Sequence, residues 1–142
     1  MAMRRALFTA LMLALLAPVG RAMAEPQVTL YYFHRNLRCV TCVALGDITA
    51  WVAEGAFKDR IADGTLEFRM VNYETPGNEH HIDDFDLEMP SAILAAADGD
   101  SVTTWKNLQR IWDLSEDHEG LEAYLKGEIS AFLAMRASGT AP

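Results

Sequence analysis

The chain has 142 residues, with 12 Lys and Arg against 20 Asp and Glu, a formal net charge of −8 and two cysteines. A surface that acidic repels phosphate backbones and anionic lipid, which argues against nucleic-acid binding. The length allows one domain with a real core but not two.

Met1 to Arg5 carries two arginines, Ala6 to Val19 is an apolar run free of charge with Thr9 its one polar residue, and Ala22-Met23-Ala24 offers small residues where a signal peptidase reads. This is the pattern of a secretory signal peptide over residues 1–24. The run is fourteen residues long, short of the roughly 20 that a spanning helix needs, so no stable membrane insertion is expected after cleavage. The expected mature domain is 25–142, periplasmic in a two-membrane bacterium. Loss of Arg4, Arg5 and Arg21 leaves nine basic residues against the same twenty acids, a net charge of −11. The leader also holds four of the seven methionines, and Met70, Met89 and Met135 are scattered, so a methionine-rich copper site has little support.

Val28 to Phe33 is a run of β-formers and predicts a buried strand. From Val40 to about Ile61, the spacing of Val40, Val43, Ala44, Ile48, Trp51, Val52 and Phe57 predicts a helix with one buried stripe. Gly46 interrupts it at a cost of about 1 kcal/mol, which predicts a bend or weak point. After the Asp63-Gly64 turn, Leu66, Phe68 and Met70 alternate with Glu67 and Arg69 as in a half-buried strand. A Pro76-Gly77 break precedes a short polar helical segment. Ser91 to Ala97 reads as a strand, Asp98-Gly99-Asp100 as a hairpin turn and Ser101 to Trp105 as the returning strand. Leu108, Ile111 and Trp112 predict a short helix, and Leu121, Tyr124, Leu125, Ile129, Phe132 and Leu133 a longer final one. The predicted fold is α/β, a central mixed four-stranded sheet flanked by helices on both faces.

Cys39 and Cys42 stand three residues apart at a strand-to-helix junction. As a static staple the bridge would give only roughly 2 kcal/mol, because the loop it closes is so short. A helix N-terminus, in contrast, favours thiolate over thiol. The pair therefore reads as the catalytic dithiol of a thiol–disulfide oxidoreductase: Cys39 attacks, and the more buried Cys42 resolves the mixed disulfide. Its partner would be a protein thiol or disulfide. Arg38 is placed to add to thiolate stability. His34, five residues before Cys39, either stabilises the thiolate or relays a proton, or packs the strand end as a satisfied histidine.

The strings YYFH at Tyr31–His34, RCVTC at Arg38–Cys42, NYE at Asn72–Glu74, NEH at Asn78–His80 and WKNL at Trp105–Leu108, followed by Ile111-Trp112-Asp113-Leu114, resemble the thioredoxin-like family of the nitrophenyl compound nitroreductase subunit ArsF. The resemblance implies a thioredoxin-like fold with its dithiol at Cys39 and Cys42, and association with a reductase system. It further implies a substrate-binding role for Met89 and Pro90, with a cis bond between them and the proline ring facing the sulfurs. Tyr32 occupies the position where thioredoxin keeps a buried acid, and Val40-Thr41 replaces the Gly-Pro pair. No flavin or nicotinamide fingerprint is present, so no cofactor is expected, and the chain is expected to act as a monomer.

Other clusters read as bland. Cys39 and Cys42 with His80-His81 make only half a zinc motif, and no resident metal is expected, although a soft metal or trivalent arsenic would suit the two thiolates alone. The acidic stretch Asp83, Asp84, Asp86 and Glu88 lacks the glycine and distal glutamate of a calcium loop. Trp105 and Trp112 read as core or rim packing.

Overall fold

The computed structural model describes residues 28–139, so the expected signal peptide and its cleavage site lie outside the described residues. The elements in order are β1 (Val28–His34), α1 (Val40–Ala56), α2 (Lys58–Ala62), β2 (Leu66–Asn72), α3 (His80–Asp84), β3 (Ser91–Asp98), β4 (Ser101–Asn107), a 3-10 turn at Gln109–Ile111, and α4 (His118–Ala137).

The sheet order is β2-β1-β3-β4. Strands β1 and β2 are parallel, in register from Val28↔Leu66 to His34↔Asn72, and a parallel pair needs a crossover, which α1 and α2 supply. Strand β3 runs antiparallel to β1, with Phe33 opposite Ser91, and β4 returns antiparallel to β3. The return is a tight hairpin closed by the Asp98↔Ser101 pair. Gly99 has φ +59°, the left-handed conformation such a turn requires. Mixed sheet, crossover and hairpin together give a thioredoxin-like topology, as the pattern of elements predicts.

Alternation along the strands divides the core between two faces. On one, Val28, Leu30 and Tyr32 of β1 and Ala92, Leu94 and Ala96 of β3 meet Leu45, Val52 and Ala53 of α1 and Leu121, Leu125, Ile129 and Phe132 of α4. On the other, Phe33, Ile93 and Ala95 meet Tyr73, Phe85 and Leu87, so this face is closed mainly by side chains around the five-residue helix α3. Tyr31, Phe33, His81 and Phe85 form a continuous ring cluster there, which Trp105 meets edge-on.

Helix α1 departs from expectation in two ways. Its buried residues are Cys42, Leu45, Gly46, Thr49, Val52 and Ala53, whereas Val40 is 89% and Trp51 60% exposed. Apolar residues lie nearly all round this helix, so spacing alone does not choose the face, and packing on β1 and α4 does. The helix also runs unbroken through Gly46 and stops at Ala56, with Phe57 as the link to α2. Gly46 is a packing notch, not a weak point.

Candidate functional site

Strand β1 ends beside β2, and residues 35–38 carry the chain to α1. This loop is clamped. Arg35 Nε donates to Tyr73 Oη at 2.6 Å and Arg35 Nη2 to the Glu88 carbonyl at 3.3 Å. The Asn36 N–H donates to Glu74 Oε2 at 2.7 Å, Asn72 Nδ2 to Asn36 Oδ1 at 2.7 Å, and the Tyr73 N–H to the His34 carbonyl at 3.1 Å. These bonds explain the NYE motif: it holds the approach to the cysteines, and Arg35, bonded to Tyr73, also reaches the Glu88 carbonyl and so brings Met89-Pro90 next to that approach.

Cys39 is the N-cap of α1, with extended backbone (φ −74°, ψ 161°), and its sulfur accepts the Cys42 N–H at 3.0 Å. The two cysteines form a disulfide with Cα atoms 5.0 Å apart. Cys39 is exposed, while Cys42 is 7% exposed. The N-cap cysteine is thus open to solvent and its partner is buried. The helix N-terminus favours negative charge at the N-cap sulfur once the bridge opens.

Behind the pair stands Tyr32, wholly buried, its hydroxyl donating to the Cys42 carbonyl at 2.6 Å. Burial, partly offset by the Arg38 charge, pushes this phenol up to about 12, so it is a fixed donor and not a base. A Cβ on Gly46 would lie 2.8 Å from Tyr32 Cε1 and 2.8 Å from Arg38 Nη2. Only glycine lets the ring and the guanidinium approach the helix this closely. Arg38 Nη1 reaches Met70 Sδ at 3.9 Å, and its Nε and Nη2 are buried with no hydrogen-bond partner among the described residues. The sequence contains the signal for this cluster, a glycine one turn after Cys42, but nothing local says what fills the notch.

His34 shares the strand parity of Tyr32, and its Nδ1 pairs with the Arg35 carbonyl at 3.0 Å, so the group bonded to the Cys42 backbone is Tyr32 instead. The cis bond expected between Met89 and Pro90 is not found: no described peptide bond is cis. Trans is the intrinsic preference of an X–Pro bond by about 0.5–1 kcal/mol. The segment is held by Ser91 Oγ donating to the Met89 carbonyl at 2.8 Å and Trp112 Nε1 donating to the Pro90 carbonyl at 3.0 Å. It borders a groove of about 520 Å³ lined by Asp86, Glu88, Met89, Ser91, Asn107, Gln109 and Trp112.

The rings of His80 and His81 lie 4.0 Å apart between centroids and tilted by 40°, with His80 Nε2 3.9 Å from Asp84 Oδ2. His81 is part of the aromatic cluster, and burial together with neighbouring His80 depresses its pKa. No described helix is long and apolar enough to cross a membrane.

No protein-family model matches the chain, and no curated protein matches it either. A solved thioredoxin from Thermus thermophilus is similar at 13% identity and a TM-score of 0.36, over 58% of this chain and 58% of that one. The chain therefore spans little more than half the length of that thioredoxin, and the thioredoxin-like description rests on the sheet topology above.

Proposed function

We propose that this chain is an exported thiol–disulfide oxidoreductase that exchanges the Cys39–Cys42 disulfide with a specific protein partner. The observation that carries this reading is the asymmetry of the pair: one cysteine exposed at a helix N-cap, the other buried one turn into the same helix. A staple closing so short a loop stabilises little, and nothing structural requires its outer cysteine to face solvent.

In this reading a partner thiolate attacks Cys39, a mixed disulfide forms, and the second partner thiol releases it; the reverse order runs when the pair is reduced. Leu37 and Val40, each 89% exposed, flank Cys39, and Met89 is 45% exposed. They supply an apolar rim for an extended segment of the partner, with Met89 and Pro90 as its substrate-binding edge. Arg38 and His34 are the candidates for tuning the thiolate. The leader supports a periplasmic site of action, and the chain works as a monomer without a cofactor.

The resemblance to the nitroreductase subunit ArsF supports a dedicated reductase system as the partner. It also keeps a second reading in view, in which the reduced pair holds a soft metal or trivalent arsenic.

Purified C42S protein is expected to accumulate mixed disulfides through Cys39, visible on non-reducing gels, and wild type to cycle between dithiol and disulfide. Failure to cycle, with one equivalent of arsenite retained by the reduced protein through gel filtration, would replace the redox reading with the binding one.

A further inference from the structure

The guanidinium of Arg38 is a positive charge without a negative partner. No described carboxylate pairs with it, although Arg35, Arg69 and Arg136 each have one. Two of its nitrogens are buried and unbonded, and the third has only the thioether of Met70. It sits against Gly46 and the Tyr32 ring. Gly46 follows Cys42 by one helical turn, so both belong to the same buried stripe of α1. Burying such a charge unpaired is costly, and opening the bridge creates a candidate anion, the Cys42 thiolate, on the helix stripe that the guanidinium lies against.

We infer that Arg38 stabilises the reduced pair, so that the chain is a disulfide donor that oxidises protein dithiols. This rests on the redox reading above and adds the direction of electron flow. A carboxylate behind the buried cysteine would accept its proton; here the groups that face the site are a neutral phenol, a thioether and a cation. Asp47, the carboxylate whose charge reaches Tyr32, is exposed and screened by solvent.

A substrate thiolate attacks Cys39 Sγ, the Cys39–Cys42 bond breaks, and the bonding pair leaves on Cys42 as thiolate beside Arg38. The second substrate thiolate then attacks the substrate sulfur of the mixed disulfide, and Cys39 leaves with its electrons. The substrate is oxidised to a disulfide by loss of two electrons, and its two protons pass to the cysteines or to solvent. A second protein disulfide, of higher potential, reoxidises the pair. Stabilising the thiolate product raises the reduction potential.

The test is equilibration of purified wild type, R38M and R38K with mixtures of reduced and oxidised glutathione, together with the pH dependence of Cys42 thiolate absorbance for each in a C39S background. R38M is expected to move the equilibrium about tenfold toward the disulfide, which is about 30 mV, and to raise the apparent thiol pKa. R38K is expected to recover most of both, which a purely structural role would not do. Wild-type disulfide is also expected to oxidise a model dithiol peptide stoichiometrically. An unchanged equilibrium in R38M, or a wild-type disulfide that persists in excess dithiol peptide but yields to stronger reductant, overturns the donor role and leaves the redox reading standing. A disulfide that never reopens overturns both.

Discussion

Tyr32 and Cys42 are joined by a 2.6 Å hydrogen bond from the phenol of the central strand to a backbone carbonyl in the first turn of α1. The bond spans the layer boundary between sheet and helix, and it fixes how deep the inner cysteine lies. In this position a carboxylate would exchange protons with the buried thiol. A phenol pushed up to about 12 instead keeps its proton and holds geometry.

Removing that donor tests its weight. Y32F keeps the ring in its notch and leaves the carbonyl short of one bond, with an expected loss of about 1 kcal/mol, read as a fall in Tm of about 4 °C. The pH dependence separates the two proteins further. In wild type the folded state holds the Tyr32 proton up to about 12, against 10.0 for the ordinary phenol. Folding is therefore proton-binding between those values, and stability declines as pH rises through them. Urea melts from pH 9 to 11.5 are expected to show a steeper alkaline decline in wild type than in Y32F.

Gly46 is expected to resist replacement. On an exposed helix, alanine would gain about 1 kcal/mol over glycine. Here its methyl group would meet Tyr32 and Arg38 at 2.8 Å, and overpacking of this kind costs about 1–3 kcal/mol. The clash outweighs the propensity, so G46A is expected to melt lower than wild type in denaturant. A more stable G46A would show that ring and guanidinium yield freely.

The aromatic face gives an acid-side prediction. Burial, then the neighbouring His80, lowers the pKa of His81 from its ordinary 6.5. The unfolded chain then binds a proton that the folded chain refuses, so stability is present above pH 6.5 and falls as acid passes below it. H81F, which keeps a ring among Tyr31, Phe33 and Phe85, is expected to flatten that part of the stability curve. A wild-type curve already flat between pH 7 and 5, once H81F has been subtracted, would contradict the assignment.

Arg35 ties the loop before the cysteines to Tyr73 and to the Glu88 carbonyl. R35M is expected to speed amide hydrogen exchange several-fold at 36–38 and at 88, 89 and 91 together, with α4 unchanged. Acceleration confined to one segment would mean that the two are not coupled through this side chain.

Much of this architecture is local and hence legible along the chain. The CxxC spacing at a strand-to-helix junction, the two-residue hairpin turn and the alternation in β1 and β3 each arise within a few residues, where periodicity and turn chemistry act. The buried face of α1 is different. Val40, Val43 and Trp51 fit a helical stripe as well as Leu45, Thr49 and Val52 do, and only docking on β1 and α4 selects the second set. Trp51 is left outside, with Lys126 Nζ over its ring at 5.7 Å.

By itself, then, the sequence determined the α/β order, the acidic charge and a dithiol at the head of the first helix. Tertiary structure decided what surrounds that dithiol. Tyr32 meets Cys42 ten residues along the chain, Arg38 meets Met70 across 32, and Trp112 meets Pro90 across 22. Contacts of that range follow from how strands register and helices dock, which depends on the summed burial of both sheet faces and not on any short stretch of residues. The trans bond at Met89-Pro90 follows the local X–Pro preference, but the contacts that hold its two carbonyls, from Ser91 and Trp112, come in the second case only with the docked chain.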